Sequence, residues 1–308
     1  MNTTTDIICI GEVLIDFIGH EIGQLSNTKD FHRFLGGSPT NVAVNAARLG
    51  LNVALVATCG NDGLGDYIVE KLNYNNVNTK YLEKSLISPT SVIFISRSLS
   101  TPDFIPYREA DCQIYESQIP DELLQNTKIF HTTCFALSKN PSRNTIINRA
   151  QKAKSLGVQI SLDLNYSEKI WNDRKEAQGV IETFLANNPL LKVSDDDCFR
   201  YFGEEKSDEN IFNYFHDFGV STICLTKGKD GVKLSDQKEG LFFQEAHLLS
   251  NIKDTTGAGD AFWTGFLFAK LHKKTLNECI TIAQKLASIK LQNVGRLPEN
   301  RNIIADLL

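Results

Sequence analysis

Six short β-branched stretches, each separated from the next by a segment of helical pattern or turn residues, set the strongest limit on what this chain can fold into. They are "DIICIG" (6–11), "VALVATC" (53–59), "KIFHTTC" (128–134), "VQISLDLN" (158–165), "LLKVS" (190–194) and "STICLTKG" (221–228). Near-continuous apolar strands are buried on both faces, and parallel neighbours need a crossover long enough to hold a helix. The pattern predicts an α/β fold with a mostly parallel central sheet between two helical layers. Helices are expected over about 40–49, ending at Gly50, and about 142–156, ending at Gly157, since glycine takes the left-handed C′ position readily.

Two segments break the rhythm. Residues 12–35 and 79–112 contain "VLIDFIG", "TKYLEK" and "SVIFISRS" with no helix between them, and are expected to form a small separate sheet acting as a lid. A length of 308 residues suits one domain with such an appendage, and no internal repeat or low-complexity linker divides it. The net charge of -5 comes without a basic run, which argues against a nucleic-acid partner. The seven cysteines are odd in number and never in C-x-x-C spacing, against a disulfide frame or zinc site. No apolar run approaches a membrane span, and the first residues lack a leader pattern, so the expectation is a soluble, cytoplasmic protein with no membrane contact.

The stretch "DTTGAGDAFWTGFL" (254–267) turns from small and polar to apolar nearly all round, which predicts a helix buried in the core. The first N–H groups of such a helix lack intrahelical partners and carry about half a positive charge. Gly257, Ala258 and Gly259 have no bulk to keep an anion away, and a phosphate is the natural candidate. Asp260 in the same turn would repel that anion unless it faces a hydroxyl that gives up a proton, which suggests phosphoryl transfer to an alcohol. The plainer alternative is that Asp254, Thr255, Thr256 and Asp260 only cap the helix. Near the other end, "LGGSPTNVAVNAARLG" (35–50) supplies a glycine pair and then Asn41 at a helix start.

These two stretches resemble the two signature motifs of the ribokinase or PfkB family of carbohydrate kinases, most closely its fructokinase-like members. The resemblance runs through "CIGEVLIDF", "GNDGLGDYI", "PYREAD", "DLNY", "KVSDDD" and "TKGKDG" to "DTTGAGDAFWTGF". It implies a ribokinase-like three-layer αβα fold with a β-sheet lid; such a lid, through exposed strand edges or a shared apolar face, invites a homodimer. It implies Asp260 as catalytic base, with the backbone of Gly257, Ala258 and Gly259 as the anion hole. Asp16, Gly36, Gly37, Asn41 and Asn165 would line the sugar pocket, with Tyr107 and Arg108 reaching it from the lid. ATP would lie against Thr226, Gly228, Gly231, Ser194 and Asn293, with Gly295 beside the last; "TKGKDG" alone reads more readily as a simple hairpin.

Two departures from the family pattern stand out. Where relatives carry Asn followed by Glu three residues on, helping to order magnesium, this chain has "SDDD", so Asp197 is left to hold Mg2+ through water. Ser167 stands where an arginine is usual, which counts against acidic sugars. A monovalent cation is a further cofactor the family admits. P-loop, dinucleotide and hydrolase motifs are missing, and His131 reads as a core residue. The expected activity is ATP-dependent transfer of the γ-phosphoryl group to a primary hydroxyl of a small sugar, fructose first. The alternatives are 2-keto-3-deoxygluconate or 5-keto-2-deoxygluconate as acceptor, or a regulator that binds nucleotide and sugar without turnover.

Overall fold

The computed structural model describes residues 4–97, 103–247, 249, 251–293, 297–298, 303 and 307. Its strands are β1 (Thr5–Ile10), β2 (Leu14–Ile22), β3 (Phe31–Gly36), β4 (Val53–Gly60), β5 (Leu82–Ser85), β6 (Val92–Arg97), β7 (Phe104–Tyr107), β8 (Thr127–Thr133), β9 (Gln159–Asp163), β10 (Leu190–Ser194), β11 (Thr222–Thr226), β12 (Val232–Asp236) and β13 (Gly240–Gln244). The helices are α1 (Ser38–Arg48), α2 (Gly63–Tyr74), α3 (Asp121–Gln125), α4 (Ser142–Ser155), α5 (Arg174–Leu185), α6 (Asp195–Phe202), α7 (Asp208–Asp217), α8 (Ala258–Leu271) and α9 (Leu276–Leu291).

Nine strands form the central sheet in the order β13-β12-β11-β10-β9-β8-β1-β4-β5. From β11 to β5 every pairing is parallel, and only β12 and β13 run antiparallel, as a hairpin edge. The two-residue period of a strand sends alternate side chains to opposite faces, and both faces are covered. Ile8, Ile10, Phe130, Leu191 and Leu225 pack toward α4–α7, while Ile7, Cys9, Leu55, Ile129 and Cys224 pack toward α1, α2, α8 and α9. This is the three-layer arrangement expected from the alternation. Gly50 and Gly157 end their helices with φ of +79° and +80°.

The smaller sheet has the order β3-β2-β6-β7 and rises from the crossings at Gly11–Val13, Pro89–Ser91 and Arg108–Asp111. Its extent corrects the expected lid boundary of 79–112. "TKYLEK" does not join it: Leu82 pairs with Ala57 and Ser85 with Gly60, so β5 closes the edge of the central sheet in parallel with β4. The strand follows α2 directly, and Leu82 packs into the core cluster around that helix, so pairing beside β4 is the short connection. Residues 110–112 are likewise buried in the body as a 3-10 turn. In "GNDGLGDYI", Asp62 caps α2 through the Leu64 and Gly65 N–H groups, and also accepts from the Thr90 N–H and hydroxyl where the chain enters the lid.

Candidate active site

Helix α8 opens at Gly257, whose φ of +73° is left-handed and whose missing side chain leaves the helix uncapped. Residues 261–269 are all buried, as the apolar run predicts. The Asp254 carboxylate accepts the Thr256 N–H, a turn outside the helix, and the α8 N-cap makes no side-chain hydrogen bond, so the purely capping role considered for Asp254, Thr255 and Thr256 is not what the structure builds. The Ala258 N–H turns back to the Thr255 carbonyl at 3.2 Å, which leaves Gly259 and Asp260 as the first-turn N–H groups with no intrahelical acceptor.

The Asp260 carboxylate is gripped from α1, more than two hundred residues earlier in the chain. Ser38 Oγ donates to Oδ1 at 2.6 Å and Asn41 Nδ2 donates to Oδ2 at 2.8 Å. Burial raises the Asp260 pKa, opposed by these two hydrogen bonds and by the charges of Lys192 and Lys290. Asp16 lies close by in the middle of β2, half-buried rather than exposed at a strand end. Burial, with the Asp260 charge adding to it, pushes its pKa up to about 7. The structure thus sets two carboxylates near each other at the junction of lid and body.

Both glycines of the first motif are required by this geometry. A Cβ on Gly36 would sit 2.4 Å from Asp16 Oδ2, and one on Gly37 would sit 2.3 Å from the Glu12 carbonyl oxygen at a φ of +101°. Asn165 follows β9 in a left-handed conformation with φ of +31° and is exposed at the carboxyl end of the sheet.

The lid residues are placed differently from expectation. Val92 pairs with Tyr107 and Asp16 with Ile93, so Tyr107 stands on the opposite face of the lid sheet from Asp16, 58% exposed and edge-on to Phe94 at 6.0 Å. Arg108 is no solvated lid arginine. Its Nε and Nη2 donate to Asp111 Oδ2 at 2.8 and 2.6 Å, Nη1 donates to Ser138, and the guanidinium lies 4.1 Å over the Phe135 ring. The chain brings Arg108 to the hinge of the lid and leaves Tyr107 outside.

Ser194 and Thr226 sit side by side at the carboxyl ends of β10 and β11, where doubly wound sheets collect ligands. "TKGKDG" is both the expected loop and the expected hairpin, joining β11 to β12. Gly228 and Gly231 have φ of +53° and +94°, and a Cβ on Gly231 would lie 2.1 Å from the Gln244 carbonyl oxygen. Asn293 closes α9, its Nδ2 donating to the Ile289 carbonyl at 2.7 Å; Gly295 lies outside the described residues.

Asp197 is spent mainly on its own helix. Oδ2 accepts from Ser194 Oγ at 2.6 Å and Ser194 N at 3.1 Å in a capping box, while Arg200 Nη2 donates to Oδ1 at 2.9 Å. Among the described residues no group of three or more His, Cys, Asp and Glu side chains could hold a metal. The residues fit a magnesium ion only as the partner of nucleotide phosphates and water, which is how Mg2+ is commonly held.

Two buried lysines under the α8 turn escaped the sequence reading. A Cβ on Gly259 would meet Lys192 Nζ at 3.3 Å, and one on Gly257 would meet Lys290 Cε at 3.8 Å. Lys192 is bonded to both oxygens of Asp163 at 2.9 Å, and the Asp163 charge keeps it protonated despite burial. Lys290 donates to Asp254 Oδ2 at 3.1 Å and to the Asn293 carbonyl at 3.4 Å. The signal for Lys192 was a lysine inside the apolar strand "LLKVS". His131 is fully buried, with Nδ1 on Ser161 Oγ at 3.0 Å and Nε2 lacking a partner among the described residues; burial lowers its pKa to about 3, so it stays neutral. All seven cysteines are free and buried, and burial raises their thiol pKa values, which removes thiolate chemistry.

Residues 4–300 match the pfkB family carbohydrate kinase. An ATP-dependent 6-phosphofructokinase of Thermoanaerobacterium thermosaccharolyticum is 35% identical over 292 residues, covering 95% of this chain and 89% of that protein. The structure of a fructokinase from Halothermothrix orenii is 32% identical with a TM-score of 0.81, over 92% of this chain and 98% of that one. An uncharacterized sugar kinase from Pyrococcus horikoshii, in complex with ATP, is 29% identical with a TM-score of 0.82, over 94% and 93% of the two chains.

Proposed function

The chain belongs to the pfkB family of carbohydrate kinases, and from that premise we propose that it transfers the γ-phosphoryl group of ATP to a primary hydroxyl of fructose. ATP-dependent sugar phosphorylation is the activity of the family; the acceptor and the residue roles are our reading. The observation that carries it is the Asp260 carboxylate, held by Ser38 and Asn41 at the mouth of an uncapped buried helix and facing Asp16 across the lid junction. In this reading Asp16, Asn41 and the backbone at Gly36 and Gly37 hold the sugar, with Asn165 at the rim. Asp260 orients the acceptor hydroxyl and receives its proton as that oxygen bonds to the γ-phosphorus and the bond to the β-phosphate oxygen breaks. A weak base suffices, because in a loose transition state the proton leaves late.

The Gly259 and Asp260 N–H groups, with Gly257 and Ala258 shaping the turn, meet the charge on the transferring group. Lys192 and Lys290 lie beneath and add positive potential. ATP rests on Ser194, Thr226, Gly228, Gly231 and Asn293. Mg2+ neutralises the phosphates when bound, and Asp197 reaches it only through water. Arg108 acts by holding the hinge rather than by touching the sugar, and Tyr107 serves the outer face of the lid. There Ile105 and Tyr107 are exposed apolar groups, and on the opposite face Phe34 is another, on the edge strand β3; exposed apolar groups at a strand edge support a homodimer formed through the lid. Free buried cysteines suit a reducing, cytoplasmic setting.

The 35% identity to a 6-phosphofructokinase favours a second acceptor, fructose 6-phosphate. A coupled ADP-release assay with ATP and Mg2+ over fructose, fructose 6-phosphate, ribose, 2-keto-3-deoxygluconate, 5-keto-2-deoxygluconate and no acceptor tests the proposal. ADP formed with fructose and not with its 6-phosphate supports it, the reverse selects the second acceptor, and silence throughout in an ATP-binding protein would favour a regulator.

A further inference from the structure

Helix α1 begins without a cap of its own. Gly37 holds the N-cap position, has no side chain to offer, and cannot be replaced by a residue that has one, because a Cβ there would strike the Glu12 carbonyl. The first N–H groups of a helix still need an acceptor. At α1 it comes from the crossing between β1 in the central sheet and β2 in the lid. Glu12 Oε1 accepts the Ser38 N–H at 3.1 Å, Oε2 accepts the Thr133 hydroxyl at 3.0 Å, and the Glu12 carbonyl accepts the Thr40 hydroxyl at 3.0 Å.

Glu12 is 1% exposed and makes no direct contact with Asp260 in this hydrogen-bond set. What it holds does. Ser38 and Asn41 are one turn apart on α1, and each takes one oxygen of the Asp260 carboxylate. A shift of the first turn of α1 would move both donors together and turn that carboxylate.

We propose that Glu12 is a positioning residue for phosphoryl transfer: by capping α1 from the sheet-to-lid crossing, it fixes Ser38 and Asn41 and through them the orientation of Asp260. This rests on the reading of Asp260 as the group that receives the acceptor's proton. Arg108 and Asp111, from the returning lid crossing, are the charged groups that act on Glu12, and they are bonded to each other. Burial pushes the Glu12 pKa up to about 8, so the carboxyl is mostly neutral near pH 7 and glutamine is a close replica of it.

The test uses the full chain as Glu12→Ala, Glu12→Gln, Ser38→Ala and the Glu12→Ala/Ser38→Ala pair. Glu12→Ala is expected to lower kcat about 10- to 100-fold, the scale of a small misplacement of a catalytic group, with KM for ATP within twofold. Glu12→Gln is expected to recover most of that loss, and Ser38→Ala should add less than about threefold on top of Glu12→Ala because both act on one contact. Full kcat in Glu12→Ala, an equal loss in Glu12→Gln, or multiplicative effects in the pair would each overturn the proposal. Hydrogen exchange over residues 38–41 gives a readout that needs no substrate: faster exchange in Glu12→Ala and restored protection in Glu12→Gln is expected, and unchanged exchange would refute the cap. If wild type turns over no sugar while exchange behaves as expected, the failure lies in the catalytic reading and not in the cap.

Discussion

Gly36→Ala probes the sugar pocket without removing or adding a polar group. In the β2–β3 pairing Leu14 faces Gly36 and Asp16 faces Phe34, so Asp16 and Gly36 are diagonal neighbours on one face of the lid sheet. The Asp16 carboxylate lies directly over the glycine: a Cβ there would fall 2.4, 2.5 and 2.7 Å from Oδ2, Cγ and Oδ1. Ordinary contact begins near 3.4 Å, and all three atoms are too close, so the carboxylate must swing aside as a unit by roughly 1 Å. Gly36 has no left-handed φ, so the backbone itself tolerates alanine. A misplacement of about 1 Å costs on the order of 10²-fold, or about 2.7 kcal/mol. We expect kcat/KM for the sugar to fall about 10- to 100-fold, mainly through KM, with KM for ATP within twofold and a thermal midpoint lower by a few degrees. The assay is steady-state ADP release with each substrate varied in turn. Gly179→Ala, where a Cβ meets open space, is the control and should leave both constants as they are. A sugar kcat/KM within threefold of wild type, or equal losses for sugar and ATP, would refute the assignment of Asp16 to the sugar.

Asp260→Asn should lower kcat by about 10² or more with ATP binding retained by calorimetry; near-normal turnover would remove Asp260 from the chemistry. Since Asp16 must be ionised to accept from the sugar and its pKa is pushed to about 7, kcat/KM should fall as pH drops through 7, and in Asp16→Asn the remaining acid limb should move to lower pH because Asp260 loses a neighbouring charge. The same shift has an opposite sign for stability. A raised carboxyl pKa contributes stability that is complete below about pH 4 and is lost as pH rises through 7, so Asp16→Asn should raise the thermal midpoint at pH 8 more than at pH 5. Lys192→Met leaves Asp163 buried without its partner and should cost about 3–5 kcal/mol in denaturant unfolding, while Lys192→Met with Asp163→Asn should recover much of that; an additive double mutant would refute the pairing as the source.

The central sheet was legible because strand and helix are local patterns. Glycines at 50 and 157 marked helix ends for the same reason: a left-handed residue is a property of one position. The place of β5 was not local. "TKYLEK" is a strand by its residues in either sheet, and only the short path from α2 and the packing of Leu82 decide which edge it joins.

The site divides along the same line. Gly36, Gly37, Asn41, Gly257 and Asp260 belong to two contiguous runs whose small residues announce a close approach, so they could be read from the chain. Glu12, Ser38, Lys192 and Lys290 get their meaning from partners between 3 and 222 residues away, and only Lys290 has one of those partners in its own helix end. Their trace in the sequence is a charge out of place: Glu12 in "CIGEVLI" and Lys192 in "LLKVS" stand inside apolar runs, where an ionisable side chain is costly unless the fold supplies a partner. Arg108 shows how the opposite error arises. It sits between Tyr107 and Glu109 in a polar lid stretch expected to reach the sugar, yet Asp111 three residues on turns it inward, because a buried Arg–Asp pair at the hinge satisfies both charges. A charged residue in an apolar run and a charged pair at i, i+3 in a crossing segment are therefore the two patterns by which the supporting shell of such a site can be sought before its structure is known.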